Sequence, residues 1–286
     1  MAPKRPSASP SPAARRTTPR SNAGTQPKRL GDDDGFTDSK ASTFKSPKVE
    51  SKPSKDDKKS MFSVVGPSDV LVLAAAAYVF AIMLPAPVPT TPPTNIPYFV
   101  AMMLAVATSH VLYAFVWYKT KSFKKLCKKA PLKFIGKMPV TVFGNLVLGI
   151  KMFQQLSLAA WAFSFVGSVD KFKALVLTRS PEYFAAAAAL FLAGQVLNAA
   201  IYKAIGKDGV YYGFKLGRTV AWSTAFPFSA GFRHPQYVGG YTTQLGVLLL
   251  VASPATIAGG LVPLAGWWAL CYIITSIVEA SDDNDD

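Results

Sequence analysis

Two short segments in the C-terminal half of the chain hold the residue types best suited to chemistry. The first is rich in glycine and tyrosine and runs from 206 to 217. Glycines let a ligand approach the backbone closely, because they carry no side chain and adopt positive φ angles readily. Glycines also allow membrane helices to pack closely, so this pattern alone leaves both interpretations open.

The second segment reads Arg233-His234-Pro235-Gln236-Tyr237 and combines a guanidinium, an imidazole and a phenol. Such a group could hold a carboxylate or a phosphate, and His234 is its only side chain that titrates near neutral pH. An apolar block follows directly, so the segment is expected at a membrane boundary. The alternative is that these side chains anchor a helix at the level of the lipid headgroups.

Long apolar stretches must position both segments. About 20 apolar residues are needed for a helix to cross the hydrocarbon of a bilayer, and several stretches after Ser68 approach or exceed that length. The sequence therefore predicts an all-α, polytopic transmembrane helical bundle with four spans and a C-terminal helical hairpin. The predicted spans are about 68–84, 98–118, 140–166 and 183–205, and the hairpin is predicted within 240–278.

The net charge of +15 is distributed unevenly. Much of it lies in the first 60 residues and in the lysine-rich loop 119–137, and basic loops beside spans favour the cytosolic side. We therefore expect this loop, the polar segment 203–238 and both chain ends in the cytosol. Because the basic tracts lack interleaved aromatic residues, nucleic acid is not an expected partner, whereas anionic lipid could contact the tail.

Three regions are predicted along the chain. Residues 1–60 are rich in Ser, Pro, Lys and Arg and nearly lack large apolar residues, so they are expected to be a disordered cytosolic tail. Residues 61–97 form an additional N-terminal span with a Pro-rich loop, and residues 98–286 form the main membrane domain. With two cysteines and two histidines, neither a disulfide framework nor a histidine-rich metal site is predicted.

Further features follow one another in a recognisable order between His110 and Glu279. They are His110-Val111-Leu112-Tyr113 before the basic loop, Gly194-Gln195-Val196-Leu197, the glycines from Gly209 to Gly217, Ala225-Phe226-Pro227-Phe228, and Pro235 through Gly246 to Ser253-Pro254. In order and spacing they resemble the phosphatidylethanolamine N-methyltransferases. The resemblance implies S-adenosylmethionine-dependent methylation of phosphatidylethanolamine, or of its mono- and dimethyl forms, toward phosphatidylcholine.

The resemblance also implies a set of cofactor-binding residues. Gly206, Gly209 and Gly213 would lie in the family's S-adenosylmethionine-binding glycine motif, with Tyr211 beside it. Glu279 would match the first of two consecutive glutamates and pair with the cofactor's ammonium group. The chain departs from the family here, because alanine stands at position 280.

The segment from Arg233 to Tyr237 completes the predicted site. Arg233, His234 and Tyr237 would hold the cofactor's carboxylate or the lipid phosphate. Because the lipid amine is largely protonated at neutral pH, a base must accept a proton, and His234 and Glu279 are the candidates.

Two alternative functions remain open at this stage. Arg233-His234-Pro235 followed by Tyr237 resembles the isoprenylcysteine carboxyl methyltransferases, and the phospholipid enzymes commonly have asparagine where His234 stands. A non-catalytic membrane scaffold or channel is the alternative from another class. A lipid substrate and a cytosolic site favour the endoplasmic reticulum membrane, while the basic, Ser-rich tail leaves a plastid or mitochondrial membrane as an alternative.

Overall fold

A computed structural model describes residues 65–280, and the predicted disordered tail lies outside this range. Within it the chain is helical and contains no β-strand, as predicted. The helices are α1 Pro67–Ile82, α2 Ile96–Tyr118, α3 Thr120–Leu126, α4 Pro139–Val166, α5 Val169–Leu177, α6 Pro181–Val210, α7 Gly213–Leu216, α8 Pro235–Val251, α9 Pro254–Ala258 and α10 Leu261–Ala280.

Four helical segments in the described part are long and apolar enough to cross a membrane: α2, α4, the stretch Pro181–Leu216 that includes α6 and α7, and α10. The predicted first span corresponds to α1, which has only 16 residues. At 1.5 Å per residue it is about 24 Å long, somewhat less than the hydrocarbon thickness of about 30 Å. The predicted hairpin forms from α8 and α10, joined through the short α9, and α8 has 17 residues. These helices confirm the predicted polytopic bundle.

Proline sets the beginning of several helices. Because proline has a fixed φ and no amide hydrogen, it fits the first helical turn, where the N–H groups have no partner within the helix. It occupies the first turn of α1, α2, α4, α6, α8 and α9. These prolines explain why the helix starts lie within a few residues of the limits expected from the apolar runs.

Small residues allow α6 and α8 to pack closely along their length. A Cβ atom added to Gly239 would lie 2.8 Å from the carbonyl oxygen of Gly194, and one added to Gly246 would lie 2.7 Å from that of Ala187. Such contacts leave no room for a side chain, as is usual where membrane helices approach one another. Gly194 therefore serves helix packing and places α8 beside α6.

Buried amides connect α4 to its neighbours. The Gln154 side chain donates hydrogen bonds to the carbonyl oxygens of Ala105 (3.0 Å) and Val106 (2.8 Å) and to the Ser109 hydroxyl (3.0 Å), all on α2. Gln155 donates to Gln244 of α8 at 2.8 Å. Because lipid offers no hydrogen-bond partners, these contacts fix how α2, α4 and α8 pack together.

Candidate active site

Glu279 lies at the point where three separate parts of the chain meet. It is near the C-terminal end of α10, and its Oε1 atom accepts hydrogen bonds from the hydroxyls of Tyr212 and Tyr237. Tyr212 belongs to the glycine-rich segment and Tyr237 to the first turn of α8. The fold thus brings the predicted glutamate together with both segments that were singled out from the sequence.

Aromatic rings surround Tyr212, one of the two tyrosines that donate to this carboxylate. Tyr212 is 5% exposed, and its ring centroid lies 5.0 Å from that of Trp117, 5.5 Å from that of Phe143 and 5.5 Å from that of Tyr113. A carboxylate held by two tyrosines of an aromatic cluster suits a cationic ligand, because ring faces also attract positive charge. The site can therefore bind an ammonium or a sulfonium group.

Tyr272 of α10 connects Tyr237 to two further polar side chains inside the bundle. The two rings are 5.6 Å apart, and the Tyr272 hydroxyl accepts a hydrogen bond from Nζ of Lys151 at 3.2 Å. His110 packs edge-on against Tyr272 at 4.7 Å, and its Nδ1 lies 2.8 Å from the hydroxyl of Thr275. Lys151 and His110 are thus held inside the protein by neighbours of the site.

Gly206 breaks α6 at the end of its apolar part. Its backbone angles are φ 68° and ψ 177°, in a region that essentially only glycine adopts. A Cβ atom added there would find no neighbour within 4 Å, so open space lies in front of this residue. Gly206 combines a glycine-dependent backbone with room for a ligand, the two properties expected of a cofactor-binding glycine.

Gly209 and Gly213 contact their own chain instead. A Cβ atom on Gly213 would lie 2.6 Å from the carbonyl oxygen of Asp208, and one on Gly209 would lie 2.7 Å from the Ile205 side chain. Both glycines are buried. Their small size is needed for the tight connection between α6 and α7, which in turn carries Tyr212 to Glu279.

Tyr211 lies in a different contact from its neighbour Tyr212. Its hydroxyl is 2.6 Å from that of Tyr202, and its ring is 5.9 Å from that of Phe143. It is Tyr212, which the sequence did not single out, that donates to Glu279. An aromatic residue inside a glycine-rich turn was the available signal, but the sequence did not indicate which of the two consecutive tyrosines would face α10.

The turn before α8 carries Arg233 and His234, and it places the His234 ring next to this site. The His234 ring stacks on the Tyr237 ring, with 5.7 Å between centroids and 12° between planes. The Arg233 side chain is exposed, and it forms no ion pair with a carboxylate of residues 65–280. Asp69 of α1, which the sequence did not suggest as a site residue, accepts hydrogen bonds from the backbone N–H groups of both residues.

The described fold and site define a membrane-embedded helical protein in which two tyrosines hold a carboxylate and an imidazole stacks on one of these tyrosines. Residues 183–281 match the family model described as phospholipid methyltransferase. A phosphatidyl-N-methylethanolamine N-methyltransferase of Arabidopsis thaliana is 29% identical over 171 residues, which cover 60% of this chain and 85% of that protein. No solved structure matches the chain.

These matches confirm that residues 183–281 are similar to the phospholipid methyltransferases, as the sequence features indicated. The protein is a membrane methyltransferase that acts on phospholipid. Every predicted site residue, from Gly206 to Glu279, lies inside the matched segment. The roles of the individual residues remain predictions.

Proposed function

We propose that this enzyme transfers methyl groups from S-adenosylmethionine to the amino headgroup of phosphatidylethanolamine derivatives, with the monomethyl and dimethyl forms as acceptors. The acceptor assignment is supported by the relative, whose name specifies phosphatidyl-N-methylethanolamine. The observation that carries the proposal is the junction of Tyr212, Tyr237 and Glu279, because it joins three family segments around one carboxylate.

The residues present fit the proposed cofactor. Glu279 can pair with an ammonium group, the rings beside it suit a sulfonium, and Arg233 can bind a carboxylate. The open space at Gly206 gives a ligand access to the backbone. When bound, S-adenosylmethionine supplies a methyl group on a positively charged sulfur, and this group passes to nitrogen as the N–C bond forms and the S–C bond breaks.

Within this proposal the main contribution of the protein is positioning. Holding two reactants in line can contribute several kcal/mol, up to about 7–11 kcal/mol in the best cases. Glu279 keeps one oxygen for a ligand, since both phenols donate to the other. Tyr212 and Tyr237 hold the carboxylate in place, and both are buried, so they also keep water from the reacting groups.

His234 is the proposed proton acceptor for the lipid amine. Its ring is half-buried and lies flat on the Tyr237 ring, and Tyr237 in turn donates to Glu279. An imidazole titrates near neutral pH. Replacing His234 by asparagine should lower the methylation rate roughly 10²–10⁴-fold, as is typical for the loss of a general base. A His234→Asn enzyme with the rate and pH profile of the wild type would assign the proton transfer to Glu279 instead.

The acceptor is tested with labelled S-adenosylmethionine and purified protein in mixed micelles. Phosphatidylethanolamine, its monomethyl form and its dimethyl form are offered separately, with a prenylated cysteine peptide as the competing acceptor. We expect labelled lipid from the methylated forms and no labelled peptide. Methylation of the peptide alone would assign the carboxyl methyltransferase function, and absence of both product and cofactor binding would favour a non-catalytic membrane protein.

We further propose that the site faces the cytosol in the endoplasmic reticulum membrane. Basic residues of α3 and α7 lie near each other, since a Cβ atom on Gly217, which follows α7, would lie 3.8 Å from Nζ of Lys124 on α3. The Lys215 ammonium of α7 is 3.8 Å from the centre of the Trp117 ring at the end of α2. Lysine-rich surfaces beside spans favour the cytosolic leaflet and its anionic lipids. Fractionation that placed the protein in plastids or mitochondria would contradict the organelle assignment.

A further inference from the structure

The N-terminal end of α1 packs against the turn that precedes α8. The Ser68 hydroxyl donates a hydrogen bond to the carbonyl oxygen of Ala230, and a Cβ atom on Gly231 would lie 3.3 Å from the same hydroxyl. Helix α1 lies outside the family segment 183–281. An element beyond the matched segment therefore contacts the turn that carries Arg233 and His234.

Asp69 of α1 forms the main hydrogen bonds between α1 and this turn. Its side chain is 1% exposed, and its Oδ2 atom accepts hydrogen bonds from the backbone N–H groups of Gly66 (2.8 Å), Arg233 (3.0 Å) and His234 (3.3 Å). All three donors reach Oδ2, whereas the buried Oδ1 has no hydrogen-bond partner among the described residues. Hydrogen bonds to an ionised acceptor are stronger than neutral ones. The carboxylate thus fixes two consecutive peptide groups of a distant turn.

The second of these peptide groups belongs to the residue whose ring reaches the site. His234 is the residue that caps the start of α8, so its backbone sets the entry of the chain into the helix. With this backbone held, the His234 ring lies on Tyr237, and Tyr237 donates to Glu279. Asp69 is therefore connected to Glu279 through a single helical turn, although it makes no contact with Glu279.

We propose that Asp69 is a positioning residue of the methyltransferase site. Its carboxylate holds the backbone of Arg233 and His234 so that the guanidinium and the imidazole face the ligand bound at Glu279. The inference rests on the proposed function, because it takes Arg233 as the group that binds the cofactor's carboxylate. Helix α1 then contributes to the geometry of the active site as well as to the membrane bundle.

A purely structural role for Asp69 makes a different prediction. If α1 only anchors the bundle, losing the carboxylate lowers the fraction of folded protein, and the remaining folded enzyme keeps its normal KM values. If Asp69 positions Arg233, the folded enzyme itself binds the cofactor more weakly. The KM for S-adenosylmethionine, measured separately from kcat per folded molecule, separates the two roles.

The experiment compares the full-length wild type with Asp69→Asn and Asp69→Ala in lipid nanodiscs, with the folded fraction measured by size-exclusion chromatography. We expect the KM for S-adenosylmethionine to rise about 10- to 100-fold, since displacing a binding group by about 1 Å can cost that much. The KM for the dimethyl lipid should change less than about twofold, because the proposed contact serves the cofactor. Asp170→Asn is the matched control, since Asp170 is an exposed carboxylate on α5. An unchanged cofactor KM, with activity that follows the folded fraction, would overturn the proposal.

A double-mutant cycle with Arg233→Gln separates this inference from the proposed function. In the Arg233→Gln background, Asp69→Asn should add little to the cofactor KM, because the group that it positions is already gone. Fully additive effects would contradict positioning through Arg233. If Arg233→Gln alone leaves the cofactor KM unchanged, the proposed role of Arg233 fails; if only Asp69→Asn leaves it unchanged, the inference alone fails. Should Asp69→Ala not fold, Asp69→Asn still decides the question, since losing the charge weakens the hydrogen bonds from the Arg233 and His234 N–H groups while the side-chain shape is kept.

Discussion

The hydrogen bonds from Tyr212 and Tyr237 determine which oxygen of Glu279 is available to a ligand. Two phenols donate to one of its oxygens, and this leaves the other oxygen to pair with a ligand cation. The two phenols come from different segments, so both hydrogen bonds form only when the start of α7 and the start of α8 lie beside Glu279. Removing one of these two hydroxyls should weaken ligand binding while the aromatic ring stays in place.

Replacing Tyr237 by phenylalanine is expected to raise the Kd of S-adenosylmethionine about tenfold or more. A hydrogen bond to a charged group contributes about 1.5–3 kcal/mol, and about 1.4 kcal/mol corresponds to a factor of ten. Isothermal titration in detergent measures the change. Tyr78→Phe is the control, because Tyr78 is 66% exposed on α1. Equal affinities of Tyr237→Phe and wild type would remove Tyr237 from the binding site.

Residue types indicated part of this site in advance. Glu279, Tyr237 and His234 were predicted from chemistry and family resemblance, and the structure brings them together. Tyr212 was missed because a turn of glycines does not determine which neighbouring ring points inward. Asp69 was missed because its partners are 164 and 165 residues away, and no local pattern encodes a contact at that separation.

Among the helices, the break in α6 links helix geometry to ligand access. Apolar length predicted the starts of the four spans to within two residues, since it acts locally on the chain. Helix α8 begins at Pro235, ahead of the predicted 240–278. The kink at Gly206 was not predicted as a change of direction, because a glycine near a helix end is compatible with several conformations. Its backbone angles now show why no other residue would fit.

Gly206→Ala should therefore destabilise the protein by about 1–3 kcal/mol, the usual range for a residue forced into such backbone angles. Thermal unfolding in detergent measures the change, and cofactor binding should fall with it because the added methyl group occupies the open space. Gly149→Ala is the matched control, since Gly149 lies inside α4 without positive φ and a Cβ atom there meets nothing within 4 Å. A Gly206→Ala protein as stable as Gly149→Ala would show that the kink can be relaxed.

For the whole molecule, charge and apolar length together predict the orientation in the membrane. The lysine-rich loop between α2 and α4 should face the cytosol, and the Pro-rich connection between α1 and α2 should face the opposite side. Cysteines introduced at Lys129 and Thr91 test this, because both residues are exposed whereas the native Cys127 and Cys271 are buried.

In sealed microsomes, an impermeant maleimide should label Lys129→Cys and should leave Thr91→Cys unlabelled until detergent is added. The reverse pattern would place the site on the lumenal side. Labelling of the wild-type protein provides the background, since its two thiols are protected by burial.

The proposed role of the Glu279 carboxylate as the cation-binding part of a methyltransferase site is tested by the Glu279→Gln variant. The amide keeps the shape and removes the charge, while Glu182→Gln removes an exposed carboxylate at the start of α6. Methyl transfer from labelled S-adenosylmethionine to the monomethyl lipid is measured for both variants. We expect a loss of about 100-fold or more for Glu279→Gln, on the scale of misplaced reactants, and wild-type activity for Glu182→Gln. Wild-type cofactor affinity and turnover in Glu279→Gln would contradict this role.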